Sequence, residues 1–261
     1  MVGVTAAPAP LAVRDVTVRF AGLTALDAVS FTVEPGSVHA VIGPNGAGKS
    51  TTFNVLSGVY RATSGSVHLG DTELTGLAPH RIAGLGIART FQNLALPPHA
   101  TVAESLLLGR HRLTRAGFVA SGLRLPSATR EARGHLERVR EIAEFIGLDK
   151  ELDFPAGALP YGKQKLVELG RALCMEPEIL LLDEPIAGMT ADERRRTAAV
   201  VAGVRDSLGI SIVMVEHDMG VVMRLADAVT VLDFGRRIAG GTPSEVQNDP
   251  AVVQAYLGAQ E

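Results

Sequence analysis

The sequence predicts an α/β chain, a mixed sheet with antiparallel strands at its N-terminal end and an inserted α-helical subdomain. Three observations carry this. Apolar residues alternate with polar ones at Val16, Val18 and Phe20, and again at Val29, Phe31 and Val33, the period of half-buried antiparallel strands. Ile179–Leu182 and Ile210–Val215 are short, continuous apolar runs of the kind a parallel sheet buries on both faces. Between Asn93 and Lys165 the pattern becomes mostly helical.

The elements follow in order. Residues 1–10 (MVGVTAAPAP) carry no basic region ahead of an apolar core, so a secretory signal is not expected and the segment reads as a flexible lead. After the two alternating runs, Glu34-Pro35-Gly36 marks a turn, since proline and glycine punctuate regular structure. Ser37–Ile42 reads as a buried strand running into a glycine-rich loop and a helix from about Lys49 to Ser57. Thr63-Ser64-Gly65 turns the chain into a short strand, Ser66–Leu69. Pro97-Pro98 break the chain before the helical insertion. Beyond it, helical spacing at Ala191–Leu208 separates two strands, and Val229–Leu232 is a further strand. Asp233–Gly241 reads as a hairpin or turn, and Pro243–Leu257 as one or two short helices. The expected division is a core of residues 11–92 and 166–242, a helical subdomain at 93–165, and C-terminal helices at 243–258.

Composition limits the function classes. The chain has 261 residues, is 46% hydrophobic and has a net charge of −3, too mild to indicate a nucleic-acid partner. A membrane-spanning helix needs about 20 mostly apolar residues. Here the longest stretches without Asp, Glu, Lys or Arg are 14 residues, Pro35–Gly48, broken by proline and glycine, and Thr90–Ala103, broken by Pro97-Pro98. The chain is not expected to span a membrane. The single cysteine, Cys174, excludes an internal disulfide framework and fits a reducing compartment. Arginine supplies most of the positive charge, because only Lys49, Lys150, Lys163 and Lys165 are lysines. Gly109–Glu141 holds eight arginines against three glutamates; it reads first as a solvated helix face, with a surface for anionic headgroups or a membrane subunit as the alternative.

Two motifs carry chemistry. Gly43-Pro44-Asn45-Gly46-Ala47-Gly48-Lys49-Ser50-Thr51 fits the phosphate-binding loop G-x-x-x-x-G-K-[ST]. Its glycines let backbone N–H groups point inward around phosphates, and the following helix offers its positive N-terminus. Lys49 is expected on the β- and γ-phosphates and the Ser50 hydroxyl on Mg²⁺. The second motif is Ile179–Leu182 ending in Asp183-Glu184-Pro185. An apolar strand finishing in two acids gives Asp183 as a metal-holding carboxylate and Glu184 as the group that orients or deprotonates an attacking water. This pairing of motifs is the arrangement of a P-loop NTPase. No N-K-x-D tetrad for guanine is present, and Phe20, at the end of its strand, is a candidate for stacking on adenine.

Arg89-Thr90-Phe91-Gln92, Tyr161-Gly162-Lys163-Gln164, Asp183-Glu184-Pro185 and Glu216-His217-Asp218 lie in the order and spacing of an ATP-binding cassette (ABC) ATPase, which the chain resembles from about Leu11 to Gly258. The resemblance implies ATP and Mg²⁺ as cofactors, with Gln92 sensing the metal and His217 contacting the γ-phosphate. It implies nucleotide contact by Tyr161, Gly162, Lys163 and Gln164 with the opposite subunit of a cassette dimer. Read from Pro160 to Gln164, that signature departs from the family's L-S-G-G-Q in three of five positions, at Pro160, Tyr161 and Lys163, and Thr190 stands where the family has a D-loop aspartate. Together with Ala255-Tyr256-Leu257-Gly258 near the end, these departures resemble the ATP-binding subunit of branched-chain amino acid importers and their urea and short-amide relatives. Such a subunit would pair with a second ATPase subunit, the same or different, beneath two transmembrane permease subunits. It would sit peripherally on the cytoplasmic face of the membrane, served by an extracytoplasmic solute-binding protein, with Leu94–Pro98 as a docking segment. A lipopolysaccharide-export ATPase and a cassette acting on ribosomes or nucleic acid are the competing readings.

Overall fold

The computed structural model describes residues 9–90, 96–97, 99–114 and 126–257. Their contacts divide into two compact units, one made of the described residues within 1–89, 178–185 and 201–261, the other of those within 90–177 and 186–200.

The first unit is built on two sheets. In the antiparallel one, β1 (Leu11–Phe20) pairs with β2 (Leu23–Val33) and with β4 (Ser64–Leu69), and β4 with the short β5 (Thr72–Glu73). Alternation holds in β2 but fails in β1, where Val16, Thr17 and Val18 are all buried. The reason is a run of irregularities. The register with β2 shifts on both sides of Val16 and again after Val18, and Asp15 adopts a left-handed φ of 47°. Such bulges re-aim side chains. Thr17 accommodates burial by accepting the Ala28 N–H at 3.1 Å.

The second sheet has the order β10-β9-β3-β8-β7-β6. It contains β3 (Val38–Ile42), β6 (Ile87–Arg89), β7 (Ile179–Asp183), β8 (Ser211–Val215), β9 (Ala228–Asp233) and β10 (Arg236–Gly241). The five strands from β9 to β6 are parallel, and β10 returns antiparallel as a hairpin on β9. Every residue of β3, β7 and β8 is buried, as the sheet-core reading of their sequences requires. Helix α1 (Lys49–Leu56) sends Phe53 and Leu56 into one core with Val16 and Val29 of the antiparallel sheet and Val41, Leu181 and Val213 of the parallel one. Sequence patterning gives no sign of α2 (Pro79–Gly84) or β6, which are only six and three residues long.

The second unit is helical. It contains α3 (Val102–Leu108), α4 (Pro126–Phe145), α5 (Tyr161–Leu173) and the first part of α6 (Ala191–Leu208), up to Val200. Thr101 and Glu104 form a reciprocal capping box at the start of α3. In α5, Gly170 lets Ile146 and Leu106 pack within 2.7 Å of where a Cβ would stand. The arginine-rich segment is only partly a solvated face. Arg110 is buried, and donates to His135 Nδ1 at 3.1 Å, Cys174 O at 3.2 Å and Glu176 Oε1 at 2.6 Å. Arg138 pairs with Glu141 at 2.7 Å. Arg115 and Arg124 lie outside the described residues. The first unit ends in α7 (Met219–Leu225), α8 (Pro243–Gln247) and α9 (Pro250–Leu257).

Candidate nucleotide site

The parallel strands end at a common edge, and the chemistry-bearing residues collect there, where ligands bind in open α/β sheets. Leaving β3, the chain makes the phosphate loop. Gly43, Gly46 and Gly48 all have positive φ, at 147°, 79° and 104°. At Gly43 a Cβ would lie 2.0 Å from Leu232 O of β9, and at Gly48 one would lie 2.7 Å from Leu26 of β2. The loop is therefore pressed between two strands and needs glycine on both counts. Lys49 opens α1 with its ammonium turned into the loop, donating to Gly43 O at 2.7 Å and Pro44 O at 2.8 Å. Burial lowers its pKa, an effect opposed by the negative charges of Glu184 and Asp183.

Asp183 closes β7, two strands from β3. Its Oδ2 accepts from Arg89 Nη2 at 3.0 Å, with both side chains largely buried. Arg89 also donates to Asn54 Oδ1 and Ser57 Oγ at 2.8 Å, which ties β6 to α1. Glu184 follows in a left-handed φ of 47°, a conformation that costs a residue with a side chain about 1–3 kcal/mol and persists where surroundings enforce it. Its N–H donates to Val215 O at 3.0 Å. That bond fixes the turn between β7 and the end of β8, and Glu184 Oε1 lies 3.9 Å from His217 Nδ1. His217 itself stands just before α7, whose N-cap Asp218 accepts from Val221 N at 3.2 Å. A cavity of about 850 Å³ opens beside Gly43–Ala47 and is also lined by His217, Phe234 and Tyr256.

Among the described residues no cluster of three or more His, Cys, Asp or Glu is arranged to hold a metal. The available donors, the Ser50 hydroxyl and the Asp183 carboxylate, are hard oxygens. They fit Mg²⁺, which is commonly bound through one or two carboxylates plus substrate phosphates.

Phe20 ends β1 and is 41% exposed. Gln92 and the residues around it lie outside the described residues, as do Leu94, Ala95 and Pro98 of the proposed docking segment.

The signature residues lie on the helical unit. Tyr161, Gly162, Lys163 and Gln164 form the first turn of α5, at its positive end. The Tyr161 ring lies over Gly188, 3.3 Å from where a Cβ would stand. Gly162 packs on Glu193, whose carboxylate would be 2.5 Å from an added Cβ. Lys163 pairs with Glu151, and Gln164 Nε2 donates to Leu159 O at 2.7 Å.

Two residues gain roles that the motif reading does not give them. Thr190 caps α6: its N–H and hydroxyl donate to Glu193 Oε2 at 2.9 and 2.8 Å. These bonds from the Thr190 backbone and side chain lower the Glu193 pKa. The spacing Thr190-x-x-Glu193 is a capping-box signal visible in sequence. Arg89 sits inside a quoted motif, but its partner is 94 residues away, beyond any local pattern.

A phosphate loop leaving one parallel strand, with an Asp–Glu pair at the end of another in the same sheet, defines a P-loop nucleotide hydrolase. The ABC transporter family profile matches residues 26–187, and the branched-chain amino acid ATP-binding cassette transporter profile matches residues 236–261. The high-affinity branched-chain amino acid transport ATP-binding protein BraF of Pseudomonas aeruginosa is 39% identical over 95% of this chain and 97% of its own. LivG of Escherichia coli K12, described in the same terms, has the same identity and coverage. The crystal structure of the ADP conformation of MJ1267, an ATP-binding cassette of an ABC transporter, superposes with a TM-score of 0.83 at 33% identity, covering 96% of this chain and 99% of that one. The chain belongs to the ABC transporter ATP-binding family.

Proposed function

We propose that this chain is the ATPase subunit of an importer for branched-chain and other hydrophobic amino acids. The observation that carries the catalytic reading is the convergence, at one sheet edge, of the Gly43–Thr51 loop, Asp183, Glu184 and His217. BraF and LivG, both named for branched-chain amino acid transport and aligned over nearly their full length, support the substrate class over urea, short amides and lipopolysaccharide.

In this reading the loop N–H groups and Lys49 bind the phosphates, and Phe20 stacks on the adenine. Ser50, Asp183 and Gln92 hold Mg²⁺, which when bound offsets phosphate charge. The Glu184 carboxylate accepts the proton of the attacking water, while His217 orients that carboxylate and contacts the γ-phosphate. Tyr161–Gln164 present the positive end of α5 to nucleotide held by a second cassette subunit, identical or not. The pair works beneath transmembrane permease subunits, peripherally on the cytoplasmic face, with solute delivered by an extracytoplasmic binding protein. Residues 93–165 act as the helical subdomain of the cassette and 243–258 as its C-terminal helices. Among the described residues, no helix is long and apolar enough to cross a membrane.

Glu184→Gln tests the base. Assembled with its partner subunits, the variant is expected to bind ATP normally and to lose hydrolysis by at least about a hundredfold, the scale of removing a general base. A turnover rate near wild type would reject Glu184. Uptake of labelled leucine, urea and a short amide in a strain lacking this subunit tests the substrate; loss of leucine uptake is expected, and unchanged uptake of all three would reject the importer.

A further inference from the structure

Phe20 does not stand alone at the end of β1. Tyr60 meets it edge to face, with ring centroids 5.1 Å apart and planes 71° apart, the geometry favoured by the ring quadrupoles. Both residues stay in reach of solvent, at 41% and 39% exposure. Two large aromatics packed on each other yet left partly exposed form an apolar surface at the end of β1.

The loop carrying Tyr60 is tied on both sides. The Tyr60 N–H donates to Asn54 O of α1 at 2.9 Å, and Thr63 N donates to Thr17 O at 2.7 Å. The Arg19 N–H, one residue before Phe20, donates to Thr63 Oγ1 at 3.1 Å. Asn54 also accepts from Arg89, the partner of Asp183. The Phe20 hairpin is itself anchored to the phosphate loop, because Leu26 and Ala25 O of β2 crowd Gly48 at 2.7 and 2.8 Å from a would-be Cβ. Tyr60 is thus bound both to the helix that starts at Lys49 and to the strand that ends at Phe20.

We infer that Tyr60 is a positioning residue for the nucleotide base: its edge contact holds the Phe20 ring in the orientation that offers a free face to the purine. This rests on the reading of Phe20 as the adenine platform. An exposed ring on a strand end exchanges among χ1 and χ2 rotamers; a T-shaped neighbour restricts that exchange before the base arrives, so less entropy is lost on stacking.

The test compares ADP with pyrophosphate, which shares the phosphate contacts and has no base, by calorimetry on the full chain. Tyr60→Ala should weaken ADP by about three- to tenfold, the scale of an aromatic pair, and leave pyrophosphate within about twofold. Tyr60→Phe, which keeps the ring edge, should bind ADP as the wild type does. Tyr60→Leu, which keeps bulk without a ring, should behave as Tyr60→Ala and serves if that variant does not fold. Unchanged ADP affinity in the Ala or Leu variant, a parallel fall in pyrophosphate affinity, or an equal loss in Tyr60→Phe would overturn the inference. Phe20→Ala separates the two levels. If it leaves ADP affinity intact, the platform reading fails and the inference with it. If it weakens ADP while Tyr60→Ala does not, only the inference fails.

Discussion

At the scale of single residues, the tightest constraint is Gly43. Its φ of 147° and the Leu232 carbonyl 2.0 Å from any added Cβ leave no room for alanine without moving β9 or the loop. Gly43→Ala should lower stability by about 1–3 kcal/mol and abolish pyrophosphate binding, measured by chemical denaturation and calorimetry; wild-type binding would show that the loop can yield. His39, on β3, gives a pH-dependent case. It stacks on Phe31 at 5.0 Å and bonds Thr230 Oγ1 at 2.9 Å. Burial, and then the charge of Arg237, lowers its pKa from 6.5 to about 4. The folded state thus favours neutral imidazole, so its stabilising effect is complete above pH 6.5 and is lost as pH falls from there toward 4. The slope is about 1.4 kcal/mol per pH unit. Melting of wild type against His39→Gln over this range should converge as the pH falls; a constant difference between them would contradict the assignment.

At the scale of elements, Gly170 decides how α5 meets its neighbours. Ile146 and Leu106 occupy the space a side chain would fill, so Gly170→Val is expected to destabilise the helical unit by about 1–3 kcal/mol. Thermal unfolding reads this directly, and an unchanged midpoint would mean that the crossing relaxes. The same scale shows what sequence makes legible. The buried runs of β7 and β8 and the helical period of Ala191–Leu208 are visible because burial on both faces, or on one stripe, writes a pattern into consecutive residues. The phosphate loop and the strand-end acids are visible because their chemistry is local. Short pieces such as β6 leave no period to read, and bulges at Asp15 and Val18 shift register without a composition signal. The Arg89–Asp183 pair and the Tyr60–Phe20 contact join positions 94 and 40 residues apart, and only folding reveals them. Thr190 is the exception: it reads as a lost aspartate in the motif, although the cap signal lies three residues downstream at Glu193.

At the scale of the whole molecule, ligand and fold are linked. ADP at about a hundred times its Kd should stabilise the chain by roughly 2.7 kcal/mol, seen as a rise in melting temperature. Lys49→Ala should remove that rise; a full rise in the variant would exclude Lys49 as a phosphate contact. The variant's starting stability is expected to be lower too, because the Lys49 ammonium also bridges two loop carbonyls.

The Arg89–Asp183 pair has a consequence for chelation. A buried carboxylate reserved for a cation usually makes a protein depend on that cation, since an unbalanced charge in a low-dielectric interior is costly. Here a guanidinium already balances Asp183 at 3.0 Å. Asp183 does not need a cation to balance its charge, so EDTA is expected to halt turnover and leave the melting temperature where it was.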